Sequence, residues 1–139
     1  MSLKSPALLS LATLLTPMVS AAPLTFTVDG VEARGGTLYI GVQTEDQFMK
    51  WEGVAGEEIA APTDSTYTVT FDLDAGDYSI SVWHDVNNNG AFDMTESGMP
   101  AEGWAMTNAS KLRGAPSFDV VKVSLDAAGQ KVRETIIYP

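Results

Sequence analysis

Apolar and polar residues alternate along several short segments of the chain, and this two-residue period is typical of β-strands with one buried face. Clusters of Gly, Asp and Asn separate the segments, as turns require. The pattern predicts strands at Leu24–Val28, Gly36–Gln43, Thr66–Leu73, Asp77–His84, Val120–Leu125 and Val132–Tyr138, with a seventh near Pro116–Phe118. Only Glu45–Trp51 resembles a helix, one or two turns long, that packs over an open end of the sheets through Phe48 and Trp51.

Two short turn sequences, Asp74–Asp77 and Ala127–Gln130, each join alternating segments and are predicted to close β-hairpins. Six to seven antiparallel strands then imply an all-β fold, a single β-sandwich of the transthyretin-like or immunoglobulin-like kind. Most aromatic side chains are expected in its core, because apolar side chains on strands usually pack inward. A ligand-binding aromatic platform built on Trp51, Trp83 or Trp104 is the alternative.

The first 22 residues have the features of a secretion signal peptide. Lys4 gives a positive start, the stretch from Ala7 to Val19 is uncharged, and Ser20, Ala21 and Ala22 are small residues suited to cleavage. The apolar run is shorter than the roughly 20 residues of a spanning helix, so no membrane span is expected in the mature chain. The prediction is a signal peptide at 1–22, one domain at 23–139, and a periplasmic or extracellular location.

Cysteine is absent and the formal net charge is −10. Each of these facts excludes some kinds of site or partner. Without cysteine there are no disulfides, zinc-thiolate sites or cysteine nucleophiles. An acidic surface repels phosphate backbones, which excludes nucleic acid as an expected partner. Divalent cations and basic surfaces are the partners that this charge favours.

The most specific pattern is the segment Asp85–Glu96, which resembles a 12-residue calcium loop. Calcium takes 6 to 8 oxygen ligands, and such a loop supplies them from alternate side chains, one carbonyl and a final carboxylate. Gly90 stands where the loop turns sharply. The expected ligands, in loop order, are Asp85, Asn87, Asn89, the Ala91 carbonyl, Asp93 and Glu96.

Two questions about this loop stay open at the level of sequence. The last ligand is Glu96 in the simplest interpretation, but Glu102 or water is an alternative. The segment before the loop is a predicted strand where the usual unit has a helix, so a plain hairpin turn closed by Asn89–Gly90 is the competing interpretation. With two Asn among the early ligands, calcium binding is expected to be weak, with a Kd of roughly 10⁻⁴ to 10⁻³ M.

The chain resembles the family called domain of unknown function 2141, which consists of exported bacterial proteins predicted to be β-sandwiches. The segments Gly36–Val42 and Leu73–Tyr78 share in this resemblance. The residues that carry it in the second half of the chain are His84-Asp85, Asn87, Asn89-Gly90, Asp93, Gly98, Pro100, Glu102-Gly103, Thr107-Asn108, Gly114 to Pro116 and Phe118. The resemblance implies a β-sandwich and export, and it implies no activity.

The expected function is therefore that of an exported, non-catalytic module, structural or adhesive, with calcium as its cofactor. The alternative is a peptide- or carbohydrate-binding module that uses the 98–118 loop on a protein or carbohydrate surface. An exposed Trp104 favours that alternative, whereas burial of Trp104 against Phe118 favours the structural module. A hydrolase is the least favoured class, because the single histidine, His84, has no nucleophile motif around it.

Overall fold

The computed structural model describes residues 21–139 and shows eight β-strands in two sheets. The predicted signal peptide falls almost wholly outside the described residues. No helix within 21–139 is long and apolar enough to cross a membrane. The strands are β1 Ala22–Asp29, β2 Thr37–Gln43, β3 Ala55–Ala60, β4 Thr66–Leu73, β5 Gly76–Asp85, β6 Gly103–Met106, β7 Val123–Leu125 and β8 Gln130–Thr135. The α-helix Phe118–Val121 (α1) and two 3₁₀ turns, Glu45–Gln47 and Ala109–Lys111, complete the elements.

The two sheets differ in size and in strand direction. The smaller sheet has the order β4-β1-β8, and the larger has the order β3-β2-β5-β6 with β7 also paired to β5. All pairs are antiparallel except β1 and β8, which run parallel. Backbone hydrogen bonds of 2.9 and 2.8 Å between Trp104 and Ile137 join β6 to the segment that follows β8. This single bridge therefore links the two sheets along one edge of the sandwich.

The core lies between the sheets and is formed by the inward residues of the alternating strands. Leu24, Phe26 and Val28 of β1 are fully buried against β2 and β5. The inward residues of those two strands are Leu38, Ile40, Val42, Ile80 and Val82. Burying each such side chain stabilises the fold by about 1.5 to 3 kcal/mol. The predicted all-β sandwich is confirmed, but it has eight strands instead of six or seven, and one of its strand pairs is parallel.

Several element predictions were wrong. Strands β3 and β6 were not predicted. The proposed strand near Pro116–Phe118 does not exist, because Phe118 begins α1, and this helix also takes the first part of the predicted Val120–Leu125 strand. The helical stretch is a single 3₁₀ turn, and Trp51 is 82% exposed instead of packed over the end of the sheets. Phe48 does pack inward, against Phe118, with ring centroids 5.7 Å apart.

The two predicted hairpins are also corrected, because each turn carries the chain from one sheet to the other. β4 pairs with β1, whereas β5 pairs with β2, β6 and β7, so the Asp74–Asp77 turn joins different sheets. The core explains this path: Phe71 before the turn and Tyr78 after it are both buried in the same interior, which they reach from opposite sides. The turn before Gln130 likewise leads from β7 to β8, strands of different sheets.

A close backbone contact fixes the start of the loop that follows β5. Gly36, with φ +65°, lies so near β5 that a Cβ there would be 2.1 Å from the Asp85 carbonyl oxygen and 2.6 Å from Val86 Cα. Both of these atoms belong to the backbone and cannot rotate away. Gly36 therefore sets where the chain leaves the sheet at Asp85.

We predict that Gly36→Ala destabilises the protein by at least about 2 kcal/mol more than Gly35→Ala, because overpacking against backbone adds to the positive-φ cost. Gly35 is the matched control, with φ +73° and no atom within 4 Å of an added Cβ. Urea denaturation of both variants gives the two free energies of unfolding. Equal losses would contradict the close contact.

Candidate functional site

The loop Asp85–Glu96 begins with a buried carboxylate. Asp85 is 1% exposed, and its Oδ1 and Oδ2 accept the backbone N–H groups of Asn89 at 3.3 Å and Gly90 at 2.9 Å. The turn needs left-handed backbone at Asn88, φ +53°, and at Gly90, φ +72°, conformations that Asn and Gly tolerate best. Asp85 thus holds the first half of the loop in shape.

Three polar side chains converge on the opposite side of the loop. The Asn89 side-chain NH₂ donates to both Asp93 carboxylate oxygens at 2.9 and 2.8 Å, and that of Asn87 donates to Asp93 Oδ2 at 3.1 Å. These hydrogen bonds, Asn89 first, lower the pKa of Asp93 below its usual value. The amide oxygens of Asn87 and Asn89 accept hydrogen bonds from the backbone N–H groups of Asn89 and Ala91, respectively. The loop therefore folds with its own hydrogen bonds.

Glu102 lies behind this loop and is buried, with 6% of its surface exposed. Its Oε2 accepts the Trp83 indole N–H at 2.6 Å and the Asp93 backbone N–H at 3.3 Å. Its Oε1 is buried without a hydrogen-bond partner among the described residues. Burial is the main cause that raises the pKa of Glu102, and the charges of Asp93 and Asp85 raise it further, whereas the Trp83 hydrogen bond opposes the rise.

A shallow pocket of about 300 Å³ connects Glu102 with the loop. Asn87, Asp93, Glu102 and Arg34 are among its lining residues. Arg34 has partners of its own: it forms an ion pair with Glu32 and lies 4.5 Å from the centre of the Tyr138 ring. An unpaired buried carboxylate oxygen beside a second carboxylate is an arrangement that a hard cation satisfies.

The six sequence-predicted ligands are placed differently with respect to this pocket. Asp85, Asn87, Asn89 and Asp93 belong to one hydrogen-bonded loop, and Ala91 joins it through its N–H group. Glu96 lies exposed in the turn that the Met94–Pro100 bridge closes, and it does not line the pocket. Within residues 21–139, no group of three or more His, Cys, Asp or Glu side chains is close enough together to hold a metal ion.

The structure also groups side chains that the sequence did not connect. Four aromatic residues from separate segments, Tyr39, Trp51, Trp83 and Phe92, meet on the outer face of the larger sheet and are called the aromatic cluster below. Tyr39 and Trp83 are directly opposite each other on β2 and β5, which neighbouring strand pairing could have revealed. The expectation that most aromatics are core residues holds for Phe26, Phe71 and Tyr78 but was wrong for this cluster, whose members lie outside the core.

The long 98–118 segment is more regular than predicted, since it contains β6 and the 3₁₀ turn Ala109–Lys111. Trp104 of β6 is half-buried and lines a pocket of about 500 Å³ at the edge where β6 and β8 separate. Phe118 pairs with Phe48. The structure thus leaves part of the Trp104 side chain accessible.

His84 is fully buried, and both ring nitrogens are engaged. Nε2 lies 2.7 Å from the Gly35 carbonyl oxygen, which can only accept, so Nε2 carries the hydrogen. The Tyr138 hydroxyl, 2.7 Å from Nδ1, accepts the Glu32 N–H and donates to His84. His84 thereby ties the chain end to the segment before β2.

A model of a bacterial protein family, described as "Uncharacterized protein conserved in bacteria (DUF2141)", matches residues 26–133. The match spans both sheets, the loop and Glu102. Comparison with curated proteins returned no match, and comparison with solved structures returned none.

We predict that, in EDTA at pH 7, Glu102→Gln is more stable than the unchanged protein by about 1 kcal/mol, because the buried oxygen loses its charge. The native pKa of Glu102 is raised, so the cost of burial is full above that pKa and disappears as the pH falls towards the ordinary value of 4.5. The difference in free energy of unfolding between the variant and the unchanged protein, measured by urea denaturation, should therefore shrink over that pH range. A variant that is less stable by a constant amount at every pH would contradict this.

Proposed function

The chain belongs to the DUF2141 family of uncharacterised bacterial proteins, and we propose that it is an exported, non-catalytic module whose Asp85–Asp93 loop binds calcium, serving a structural or adhesive role. The observation that carries the proposal is the unpaired Oε1 of Glu102. A buried polar atom without a partner costs about 1 to 3 kcal/mol, and more if charged. A bound cation removes that cost.

The proposed ion lies between the loop and Glu102, in the pocket that Asn87, Asp93 and Glu102 line. Asp93 and Glu102 supply two carboxylates. The amides of Asn87 and Asn89 supply oxygens once these turn away from the backbone N–H groups of Asn89 and Ala91, which now donate to them. Water fills the remaining positions, as is common for calcium. In this arrangement Glu102, and not the exposed Glu96, provides the final carboxylate of the site.

Asp85 has a supporting part in this site. Its carboxylate already accepts two backbone N–H groups that shape the turn, so it acts by holding the loop open to the ion. A site with two Asn ligands carries less negative charge than one with three Asp. The affinity expected for it, a Kd of roughly 10⁻⁴ to 10⁻³ M, suits constant occupation at extracellular calcium levels.

Export and the absence of catalysis are supported by different residues. Export rests on the signal-like features of the first 22 residues. The non-catalytic assignment is supported by His84, the one histidine of the chain, which is buried with both nitrogens hydrogen-bonded and is not free to act as a base. Periplasmic or extracellular calcium is the partner that this location supplies.

The second candidate is a peptide- or carbohydrate-binding module that uses the 98–118 segment. It is favoured by Trp104, which is half-buried at a pocket that Met106, Arg133 and Ile137 also line. An accessible aromatic side chain at a pocket of about 500 Å³ is the kind of surface that such ligands use.

We predict that calcium at ten times its Kd stabilises the protein by about 1.4 kcal/mol, because a ligand that binds only the folded state raises its stability. For a domain of this size that is a rise in Tm of roughly 5 °C over the value in EDTA. Thermal unfolding with EDTA, calcium and magnesium measures the effect, and magnesium should give the smaller shift.

Matched variants locate the site. Glu102→Gln and Asp93→Asn should abolish the calcium-dependent rise, whereas Glu96→Gln should keep it. Asp85→Ala is a poorer probe, since it also removes the two hydrogen bonds that shape the loop. Identical melting of the unchanged protein in EDTA and calcium would refute the proposal, and loss of the effect in Glu96→Gln alone would move the last ligand back to Glu96.

A further inference from the structure

The aromatic cluster forms an exposed surface on the outer face of the larger sheet. Trp83 lies at its centre and stacks on Tyr39, with ring centroids 5.0 Å apart. The ring centroids of Trp51 and Phe92 lie 6.2 and 6.1 Å from that of Trp83. Trp51 is 82% exposed and Phe92 is 38% exposed. Large aromatic side chains left in water together, on a sheet face, indicate an interaction site.

A strip of small residues runs beside the rings. Gly41, Gly56 and Ser81 are opposite one another on β2, β3 and β5, two residues from Tyr39 and Trp83 and therefore on the same outer face. A Cβ added to Gly41 would meet only Ser81 Oγ, at 4.0 Å. Because these residues have small side chains or none, the sheet surface beside the rings is low, and this strip is called the trough below.

The carboxylates around the aromatic cluster favour a cationic ligand. Glu58 is directly opposite Tyr39 on β3, Glu52 follows Trp51 in the sequence, and both are exposed. Lys50, next to Trp51 in the sequence, is the one cationic neighbour along these segments, and the whole chain has a formal charge of −10. Aromatic faces attract cations, and an acidic surround strengthens that attraction.

We propose that the aromatic cluster is a docking site for a basic, arginine-bearing peptide segment of a partner protein. A guanidinium group is planar, stacks on aromatic faces and pairs with carboxylates through a fixed fork of donors, so it uses both the rings and the acidic surround. A neutral glycan would hydrogen-bond the carboxylates through its hydroxyl groups but would gain nothing from their charge. A second copy of this acidic chain would meet electrostatic repulsion.

This inference goes beyond the calcium-binding function and does not depend on it. The cluster is formed by β2, β5, the segment around Trp51 and the loop residue Phe92, with no ion bound. Its test can therefore succeed or fail whatever calcium does, and it is run both in EDTA and in calcium.

The probe is a fluorescein-labelled peptide of alternating arginine and glycine, whose binding is followed by fluorescence anisotropy at roughly 0.15 M ionic strength, where long-range charge effects are screened. A lysine–glycine peptide of the same length is the control for charge alone. We predict that Trp51→Ala weakens binding of the arginine peptide about fivefold, as the loss of one cation–π contact implies.

Two further variants make the test specific. Gly41→Thr fills the trough and suits a strand, so it should weaken binding at least as much as Trp51→Ala. Met99→Ala is the matched control, because Met99 is 62% exposed but lies outside the cluster, and binding should not change. Circular dichroism and the melting temperature verify that each variant is folded.

Equal binding of the arginine and lysine peptides, or equal effects of all three variants, would overturn the proposal, since either shows unspecific attraction to an acidic protein. Binding of cellohexaose that Trp51→Ala abolishes, with no binding of the arginine peptide, would identify a glycan site instead. A dimer in sedimentation that Trp51→Ala dissociates would identify a second copy as the occupant.

Discussion

The buried carboxylate of Glu102 connects the parts of this protein that bear on function. One of its oxygens hydrogen-bonds both to the Trp83 indole on β5 and to the Asp93 backbone in the loop. The other oxygen has no partner among the described residues. Because a buried charge is costly unless it is paired, the proposed cation would remove a cost that the fold otherwise bears at this side chain. The loop, the aromatic cluster and the sheet all meet there.

Strand β5 determines how the residues around Glu102 are arranged. This strand has pairing partners on both sides, and its alternating residues place Ile80 and Val82 in the core and Trp83 on the outer face. Its last residue, Asp85, begins the loop at the point that Gly36 fixes. A single strand thus supplies core, aromatic surface and loop anchor, and a disturbance at its end should reach all three.

The sequence predicted those parts whose signal is local. Alternation identified β1, β2, β4 and most of β5, and the oxygen-rich pattern with Gly90 marked the loop. The edge strand β3 was missed because Glu57 and Glu58 break the apolar period, and β6 was missed because it has only four residues. The parallel pairing of β1 with β8 and the crossing of both turns between sheets depend on long-range packing, which no local pattern contains.

The site was predicted only in part for the same reason. Asp85, Asn87, Asn89 and Asp93 are close in the sequence, so their spacing revealed them. The sequence offered Glu102 only as an alternative last ligand. It lies beside the loop because β6 pairs with the end of β5 and brings the residue before Gly103 there. The aromatic cluster likewise needs strand register to bring Tyr39 beside Trp83. Alternation gave no reason to expect Trp51 near either.

The most direct test of the calcium site is a crystal structure of the protein grown with calcium and measured for anomalous scattering. The account predicts an ion with oxygen ligands at about 2.3 to 2.6 Å, among them Glu102 Oε1 and an Asp93 carboxylate oxygen. A calcium-grown crystal in which Glu102 Oε1 contacts only water or protein, with no ion in the pocket beside Asn87 and Asp93, would contradict it.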